Sequence, residues 1–462
     1  MRRRTAWWRA AVVGAVLCTV GTLPTSGATA AAGVLGSSPA YGAGTSAHGD
    51  SVFAHDDSAF AYDEDDRPVD GAATTADAVA LKPGETYRSS IRRHATLYYR
   101  VELDATSTAY VPVTAVPPAD AKVAATDGIK VSVQNAAGAP CSLTSAGFGA
   151  GLSPRPVTAL GMRETSRASC RAGGTYYVRV ERRDATGSGS DAWGLELAPV
   201  TEPPPARTGP TKAPEVWNSA SPEAVTGEPR RRDGGAGFAT ARTLGQGVWR
   251  TGIAPGQTLF YRVPVDWGQQ LYATAELDGS SADGGYVSGA LGLSVYNPVR
   301  ADVDDVARSY SGRPTAATVD PLPPVAYRNR YTVIDKVRTM RFAGAYYLVV
   351  HLNGQMADTF GQGPYGLKLR VRVSGTAQAA PGYSGQSAPR GLFEVTDRDR
   401  AAGAAGGAPD GAAGDDSGAM KALAVGGIGT GTALLVVLLV WTVTARRRAS
   451  AQMRVSAQKP TA

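Results

Sequence analysis

The chain has 462 residues, and Gly (56) and Pro (30) make up about 19% of them, against roughly 12% in an average protein. This composition favours turn-rich β structure with extended connectors over a helical bundle. The net charge of +7 does not indicate a nucleic-acid-binding surface, because nine of the 47 basic residues lie in the first 32 and last 17 positions, where no acidic residue occurs. The other 38 are balanced by 40 acidic residues, so no basic stripe is expected and nucleic acid is excluded as a partner.

Residues 1–32 have the pattern of a signal peptide. A basic stretch that contains Arg2 and Arg9 precedes a mostly apolar run, and small residues at 28–32 offer cleavage sites. The apolar run is short for a bilayer span, although an uncleaved anchor is the alternative. The segment predicts export of the chain.

Residues 33–78 predict a disordered lead, because they are rich in Gly, Ala, Ser and Asp and include an acidic run at 63–66. His48 and His55 fall in this lead, too far from any core to be positioned.

An internal repeat predicts two domains, 79–200 and 234–374. Four sequence blocks recur in the same order: TLYYRVELD (96–104) with TLFYRVPVD (258–266), DGIKVSVQN (127–135) with SGALGLSVYN (288–297), GTYYVRV (174–180) with GAYYLVV (344–350), and WGLEL (193–197) with YGLKL (365–369). Each block alternates apolar and polar residues with period two and is rich in β-branched and aromatic residues, as strands are. The pattern predicts a mainly β protein with two tandem antiparallel β-sandwiches of jelly-roll type.

The order of these blocks resembles the bacterial pre-peptidase C-terminal (PPC) domain. That resemblance implies two small sandwiches of a kind appended to secreted enzymes and surface proteins. The second copy is also similar to the membrane-proximal part of actinobacterial surface proteins that carry a von Willebrand factor A (VWA) domain, through 260–277 and 323–330. A VWA-sized region and its Asp-x-Ser-x-Ser metal motif are both missing from the sequence, so the metal-dependent adhesion of that family is not expected.

Cys141 and Cys170 remain once Cys18 leaves with the signal peptide. An even pair in an exported domain predicts a disulfide within the first sandwich. Two buried, unpaired thiols are the alternative.

Two further segments read as connectors. Residues 201–233 contain three consecutive prolines and predict an extended, semi-rigid linker between the sandwiches. Residues 375–421 are rich in Gly and Ala and predict a flexible stalk.

Residues 422–445 are uncharged and mostly apolar, long enough to cross a hydrocarbon core of ~30 Å. The basic tail 446–462 opens with three Arg, which the positive-inside rule places in the cytoplasm. Gly427 and Gly431 form a Gly-x-x-x-Gly pair, a candidate helix–helix contact for a homodimer. The expectation is a single-pass, type I protein of the cell membrane with an extracellular ectodomain.

Four aromatic residues occupy outward positions of the predicted strands: Tyr98 and Tyr177 in the first copy, and Phe260 and Tyr347 in the second. Aromatic rings on such faces stack on sugars, so we predict them as ligand-facing residues for a cell-wall polymer. Cross-strand pairing, or cover by another segment, is the alternative.

The sequence offers no catalytic or metal-binding motif. His94 and His351 lie at strand ends, without a second His or Cys at ligand spacing. Asp302, Asp304 and Asp305 lack the ordered Gly and terminal Glu of a calcium loop. Nucleophile-elbow, His-Glu-x-x-His and P-loop patterns are also missing, so no enzyme activity, metal or cofactor is expected.

These features predict a non-catalytic, membrane-anchored surface protein with a binding or assembly role in the cell envelope. Its expected partner is a wall polymer or an envelope protein. One alternative is an accessory subunit of a VWA or transport complex. Another is a secreted hydrolase with an unrecognised site.

Overall fold

The computed structural model describes residues 60–185, 188–189, 191–207, 209–281 and 284–405. The predicted signal peptide, the apolar segment 422–445, Gly427 and Gly431 all lie outside the described residues. Within those ranges, no helix is long and apolar enough to cross a bilayer.

Sandwich 1 consists of two packed sheets. Its strands are β1 (Arg67–Pro68), β2 (Val79–Leu81), β3 (Tyr87–Ile91), β4 (Thr96–Leu103), β5 (Thr108–Val116), β6 (Gly128–Asn135), β7 (Pro140–Gly147), β8 (Val157–Arg163), β9 (Gly174–Arg183), β10 (Trp193–Leu197) and β11 (Val200–Glu202). One sheet has the order β1-β3-β10-β5-β11, with β8 also paired to β5, and the other has the order β2-β4-β9-β6-β7.

Sandwich 2 repeats this plan. Its strands are β12 (Arg230–Arg231), β13 (Arg242–Thr243), β14 (Gly247–Ile253), β15 (Thr258–Val265), β16 (Gln270–Leu277), β17 (Val287–Tyr296), β18 (Asp302–Tyr310), β19 (Thr315–Thr318), β20 (Gly344–Leu352) and β21 (Tyr365–Ser374). The helices are short: α1 (Asp335–Thr339), α2 (Met356–Phe360) and α3 (Asp397–Ala405). The two sheets have the orders β12-β14-β21-β16-β19 and β13-β15-β20-β17-β18.

The two copies match strand for strand. When β1 to β10 are renamed β12 to β21, every pairing among these ten strands reappears in the second sandwich, and only the pairing of β11 with β5 has no counterpart. The four repeated sequence blocks fall on β4 and β15, β6 and β17, β9 and β20, and β10 and β21. The structure therefore confirms the predicted mainly β fold and the duplication.

The period-two pattern places the cores as expected, because successive side chains of a strand point to opposite faces. In β4, Tyr99, Val101 and Leu103 are buried, while Arg100 and Glu102 are exposed. Each sandwich has its own apolar core between its two sheets.

Cys141 in β7 and Cys170, in the 3-10 turn before β9, form the disulfide that the sequence predicted. Both residues are buried in the core of sandwich 1.

Replacing both cysteines with Ala should lower the free energy of unfolding by about 3 kcal/mol, because the crosslink closes a loop over a sequence separation of 29 residues. Urea denaturation of the variant and of the reduced wild-type chain measures the loss. Equal unfolding midpoints for the oxidised wild type and the variant would contradict this prediction.

The predicted lead and stalk are packed where the structure describes them. Residues 60–78 are not disordered: β1 pairs with β3, and the ring of Phe60 lies 5.8 Å from that of Phe260. Residues 375–405 are not a free stalk either, because Phe393 is buried and the guanidinium of Arg400 in α3 bonds the Asp266 carboxylate at 2.6 Å.

The start of the predicted linker pairs with this C-terminal segment. Thr201 and Ala388 exchange two backbone hydrogen bonds, at 2.9 and 3.2 Å, and the amide of Ser384 donates to the Pro204 carbonyl at 2.9 Å. Residues 201–206 are therefore held against the fold rather than spanning open solvent.

The two sandwiches are in direct contact. An apolar cluster between them draws on sandwich 1, sandwich 2 and the C-terminal segment, and it includes Tyr110, Val200, Val299, Phe342 and Phe393. Three ion pairs cross the same boundary: Arg300 with Glu196, Arg330 with Glu202, and Arg341 with Glu164. The described chain is thus a docked pair of sandwiches.

Candidate functional site

The outer surface of β4, β9, β6 and β7 in sandwich 1 is the best candidate for a binding site, and we call it the open face. The strand register arranges its residues in three rows, which are Thr96–Glu181–Lys130–Ser145, Tyr98–Arg179–Ser132–Leu143 and Arg100–Tyr177–Gln134–Pro140. Tyr98 and Tyr177 occupy diagonal positions on neighbouring strands, and such positions are typically about 7–8 Å apart.

The open face combines aromatic, apolar and charged groups. Tyr98 and Tyr177 are half-buried, and Leu143 is 57% exposed. Arg179 forms an ion pair with Glu181 at 2.7 Å on the same strand. The face therefore offers ring surfaces next to hydrogen-bonding groups.

Its cations exceed its anions. Arg100, Lys130 and Arg183 form no ion pair within the part of the chain that the structure describes. A cavity of about 400 Å³ opens between these strands. It is lined by Lys130, Leu143, Thr144, Ser145, Glu181 and Arg183. This volume lies at the lower end of the range for small-ligand sites.

The equivalent surface of sandwich 2, on β15, β20, β17 and β18, is filled, and we call it the covered face. The ring of Phe238 lies 5.1 Å from Phe260, 5.0 Å from Tyr347 and 5.7 Å from Tyr296, in edge-to-face arrangements. Phe260 is only 1% exposed. The prediction that Phe260 faces solvent as a ligand-binding residue is therefore wrong, because the loop before β13 folds over it. Tyr347 is half-buried, with its ring against that of Phe238.

The corresponding loop of sandwich 1 follows the same path with a different residue. Ala72 bridges to Tyr98 as Gly235 bridges to Phe260. The amide of Ala78 bonds the carbonyl of Thr75 at 3.4 Å, as the amide of Ala241 bonds the carbonyl of Phe238 at 3.3 Å. Thr75 thus stands where Phe238 stands, and its exposed side chain leaves the open face without an inserted ring.

His351 lies at the edge of the covered face, where sandwich 1 packs on it. Its Nε2 is 2.8 Å from the Ser153 hydroxyl of sandwich 1, and its Nδ1 is 2.9 Å from the Thr258 hydroxyl. Burial, aided by the positive charge of Arg155, lowers the pKa of His351 to about 3. The neutral imidazole therefore joins the two sandwiches.

The acidic positions of β18 are used within the fold. Burial, followed by the charges of Asp305 and Asp304, raises the pKa of Asp302 to about 6. Asp304 bonds the Lys336 ammonium at 2.8 Å. Among the described residues, no group of three or more His, Cys, Asp or Glu side chains is placed to hold a metal ion.

No family model and no curated protein matches the chain. Solved structures align with it at low similarity. The CUB1-EGF-CUB2 domain of human MASP-1/3 is 5% identical over 62% of this chain and 99% of that chain, with a TM-score of 0.15. The ANXUR2 extracellular domain from Arabidopsis thaliana is 9% identical over 64% and 86%, with a TM-score of 0.16. The CBM22-1-CBM22-2 tandem domain of Paenibacillus barcinonensis Xyn10C is 9% identical over 62% and 93%, with a TM-score of 0.16. We draw no functional argument from similarities at these TM-scores.

Proposed function

We propose that the chain is a non-catalytic, membrane-anchored surface protein that binds an anionic wall polysaccharide through the open face. The observation that carries this proposal is the difference between the two copies. A phenylalanine ring fills the aromatic site of sandwich 2, whereas Thr75 leaves the equivalent site of sandwich 1 uncovered.

The chemistry of the open face suits a charged sugar chain. Tyrosine has an apolar ring that packs on the apolar side of a sugar and a hydroxyl that bonds its polar edge. Arg100, Lys130 and Arg183 have no ion pair with another described residue, so carboxylate or phosphate groups of a polymer would be attracted to them without breaking one.

The positions of the two described histidines, His94 and His351, also support a binding role. His351 is held between Thr258 and Ser153 and is not accessible to a substrate. His94 is exposed, with its Nδ1 3.7 Å from a carboxylate oxygen of Asp184. Neither histidine stands beside a nucleophile in an open cavity, which is the arrangement that acid–base or nucleophilic catalysis needs.

The proposal takes export and anchoring from the sequence. Residues 1–32 would direct export, and residues 422–445 would hold the chain in the membrane. The Cys141–Cys170 disulfide fits an oxidising compartment, where such bonds persist. The likeness to PPC domains of surface proteins points the same way.

Changing Tyr98 and Tyr177 together to Ala should weaken retention on purified wall polysaccharide about tenfold or more, because aromatic anchors dominate binding energies. Thr75→Phe should weaken it as well, by placing a ring where Phe238 lies in sandwich 2. Binding is measured with the detergent-solubilised full chain. Tyr286→Ala is the control, since Tyr286 is 68% exposed and lies outside the open face.

Each variant must unfold at the same temperature as the wild type, so that a loss of polysaccharide binding is not a consequence of unfolding. Retention that survives both the double change and Thr75→Phe would show that the open face is not the site. Turnover of the polymer by the purified chain would favour the hydrolase alternative. Stable co-purification with a VWA or transport component, without polymer binding, would favour the accessory subunit.

A further inference from the structure

The connection between β19 and β20 in sandwich 2 is much longer than its counterpart in sandwich 1. It spans 319–343, whereas the counterpart between β8 and β9 spans 164–173. Three neighbouring residues in the middle of the longer connection are exposed, and we call them the apolar tip. Tyr331 is 43% exposed, Val333 94% and Ile334 59%.

The apolar tip is held in place by its own base. The side-chain amide of Asn329 donates to the carbonyls of Pro324 at 2.9 Å and Met340 at 2.7 Å. Arg330 pairs with Glu202 of sandwich 1 at 2.5 Å. The exposed apolar groups therefore belong to a braced loop, and three of them lie within four consecutive residues.

One more exposed apolar residue, Val216, lies at the same end of sandwich 2. Val216 is 90% exposed and lies two residues from Asn218, whose carbonyl accepts a hydrogen bond from Gln270 at the start of β16. The apolar tip and Val216 make up four of the eight large apolar side chains that are exposed in the described part of the chain.

Cations flank the apolar tip. Arg328 is exposed and forms no ion pair with any described residue. Among the described residues, the side chain of Arg338 pairs with Asp335 alone, at 2.5 Å, and that carboxylate is itself 81% exposed. Apolar side chains ringed by arginine or lysine are the pattern that inserts into the interface of an anionic bilayer.

The apolar tip also lies at the end of sandwich 2 where the described chain ends. Val325, at the base of the connection, exchanges backbone hydrogen bonds with Gly268 and Gln269, both at 2.8 Å. Asp266, in the same turn, holds Arg400 of α3. Only residues 406–421 then separate α3 from the predicted span.

We infer that the apolar tip inserts into the interfacial layer of the membrane that anchors the chain, with Arg328 and Arg338 against lipid phosphates. The inference rests on the proposed membrane anchor. It gives the docked sandwiches a fixed orientation, with sandwich 2 seated on the bilayer.

The test uses the full chain in vesicles of phosphatidylcholine with and without phosphatidylglycerol. An environment-sensitive fluorophore is attached at Val333→Cys, with the Cys141–Cys170 disulfide kept. The matched control carries it at Tyr286→Cys, because Tyr286 is also exposed but precedes β17, at the opposite end of sandwich 2. Flotation after an alkaline wash reports the anchor separately.

The label at 333 should shift to the blue and be quenched by lipid-borne nitroxides, more strongly with phosphatidylglycerol, while the label at 286 should not. Arg328→Ala and Arg338→Ala should each reduce the ratio of inserted to free tip about fivefold in the anionic vesicles. A chain that floats with its tip label as exposed as the control label refutes this inference alone. A chain that fails to float refutes the proposed anchor, and this inference with it.

Discussion

Replacing Glu202 with Ala should lower the free energy of unfolding by about 3–5 kcal/mol, because it leaves a buried cation without its partner. Glu202 is 1% exposed. Its carboxylate accepts hydrogen bonds from the hydroxyls of Tyr110 at 2.8 Å and Tyr383 at 3.1 Å, and it pairs with Arg330 at 2.5 Å. One side chain thus joins sandwich 1, sandwich 2 and the C-terminal segment.

The charge balance at Arg330 explains the size of the effect. Burial, the largest single influence, would lower the pKa of Arg330. The charge of Glu202, its hydrogen bond to the guanidinium, and Tyr110 and Tyr327 together outweigh burial and hold that pKa above its ordinary value. Without the carboxylate, the desolvation cost of the guanidinium is no longer offset, and the hydroxyls of Tyr110 and Tyr383 lose an acceptor.

Chemical denaturation of the full chain in detergent measures the loss. Glu202→Gln should cost less than Glu202→Ala, since the amide oxygen still accepts a hydrogen bond. Glu215→Ala is the control: Glu215 pairs with Lys212 at the surface, where removal should cost about 0–1 kcal/mol. Separate unfolding transitions for the two sandwiches in Glu202→Ala would further show that this contact couples them.

An equal, small effect of Glu202→Ala and Glu215→Ala would contradict the prediction. It would mean that the apolar cluster around Tyr110 and Phe342 supports the docked arrangement without help from the buried charge.

The strands and their faces are visible in the sequence because they depend on local alternation. Val101 and Leu103 are buried between exposed neighbours, as period two requires. The duplication is visible in the sequence for the same reason, because equivalent strands of the two copies have the same alternation of apolar and polar residues. The disulfide follows from counting cysteines in an exported domain.

The docking of the sandwiches has no such local signal. Glu196 and Glu202 look like outward, solvated residues of their strands, yet both are buried against arginines more than 100 positions away. Phe60 and Phe393 lie in stretches whose average composition predicts disorder, so composition does not reveal that they are packed. The Thr75 and Phe238 difference lies upstream of the repeated blocks, and a longer alignment of the two copies would have found it.

The docked sandwiches should lose stability in acid because of His351. Burial, with the charge of Arg155, lowers the pKa of His351 to about 3, against about 6.5 in an unfolded chain. Both states are neutral above that range, so the contribution of His351 to stability is complete at neutral pH. As the pH falls from about 6.5 to 3, the imidazole binds a proton in the unfolded chain but not in the folded chain. The free energy of unfolding therefore drops by about 1.4 kcal/mol per pH unit.

Several carboxylates act in the opposite direction. Burial and neighbouring carboxylates raise the pKa of Asp302 to about 6, so its protonation favours the folded state as the pH falls from 6. The pKa values of Glu196 and Asp66 are also raised, in both cases chiefly by burial. The pH profile of the wild type alone therefore mixes opposing contributions, and only a comparison with a variant isolates His351.

His351→Gln keeps a polar group near Ser153 and Thr258 but cannot take up a proton. Denaturation from pH 7 to pH 4 should show the variant gaining stability relative to wild type by about 1.4 kcal/mol per pH unit below 6.5. His94→Gln is the matched control, because His94 is exposed and lies away from the contact between the sandwiches. Parallel profiles for His351→Gln and wild type would mean that the imidazole takes up its proton in the folded chain. In that case the contact between Ser153 and His351 opens at acid pH without unfolding either sandwich.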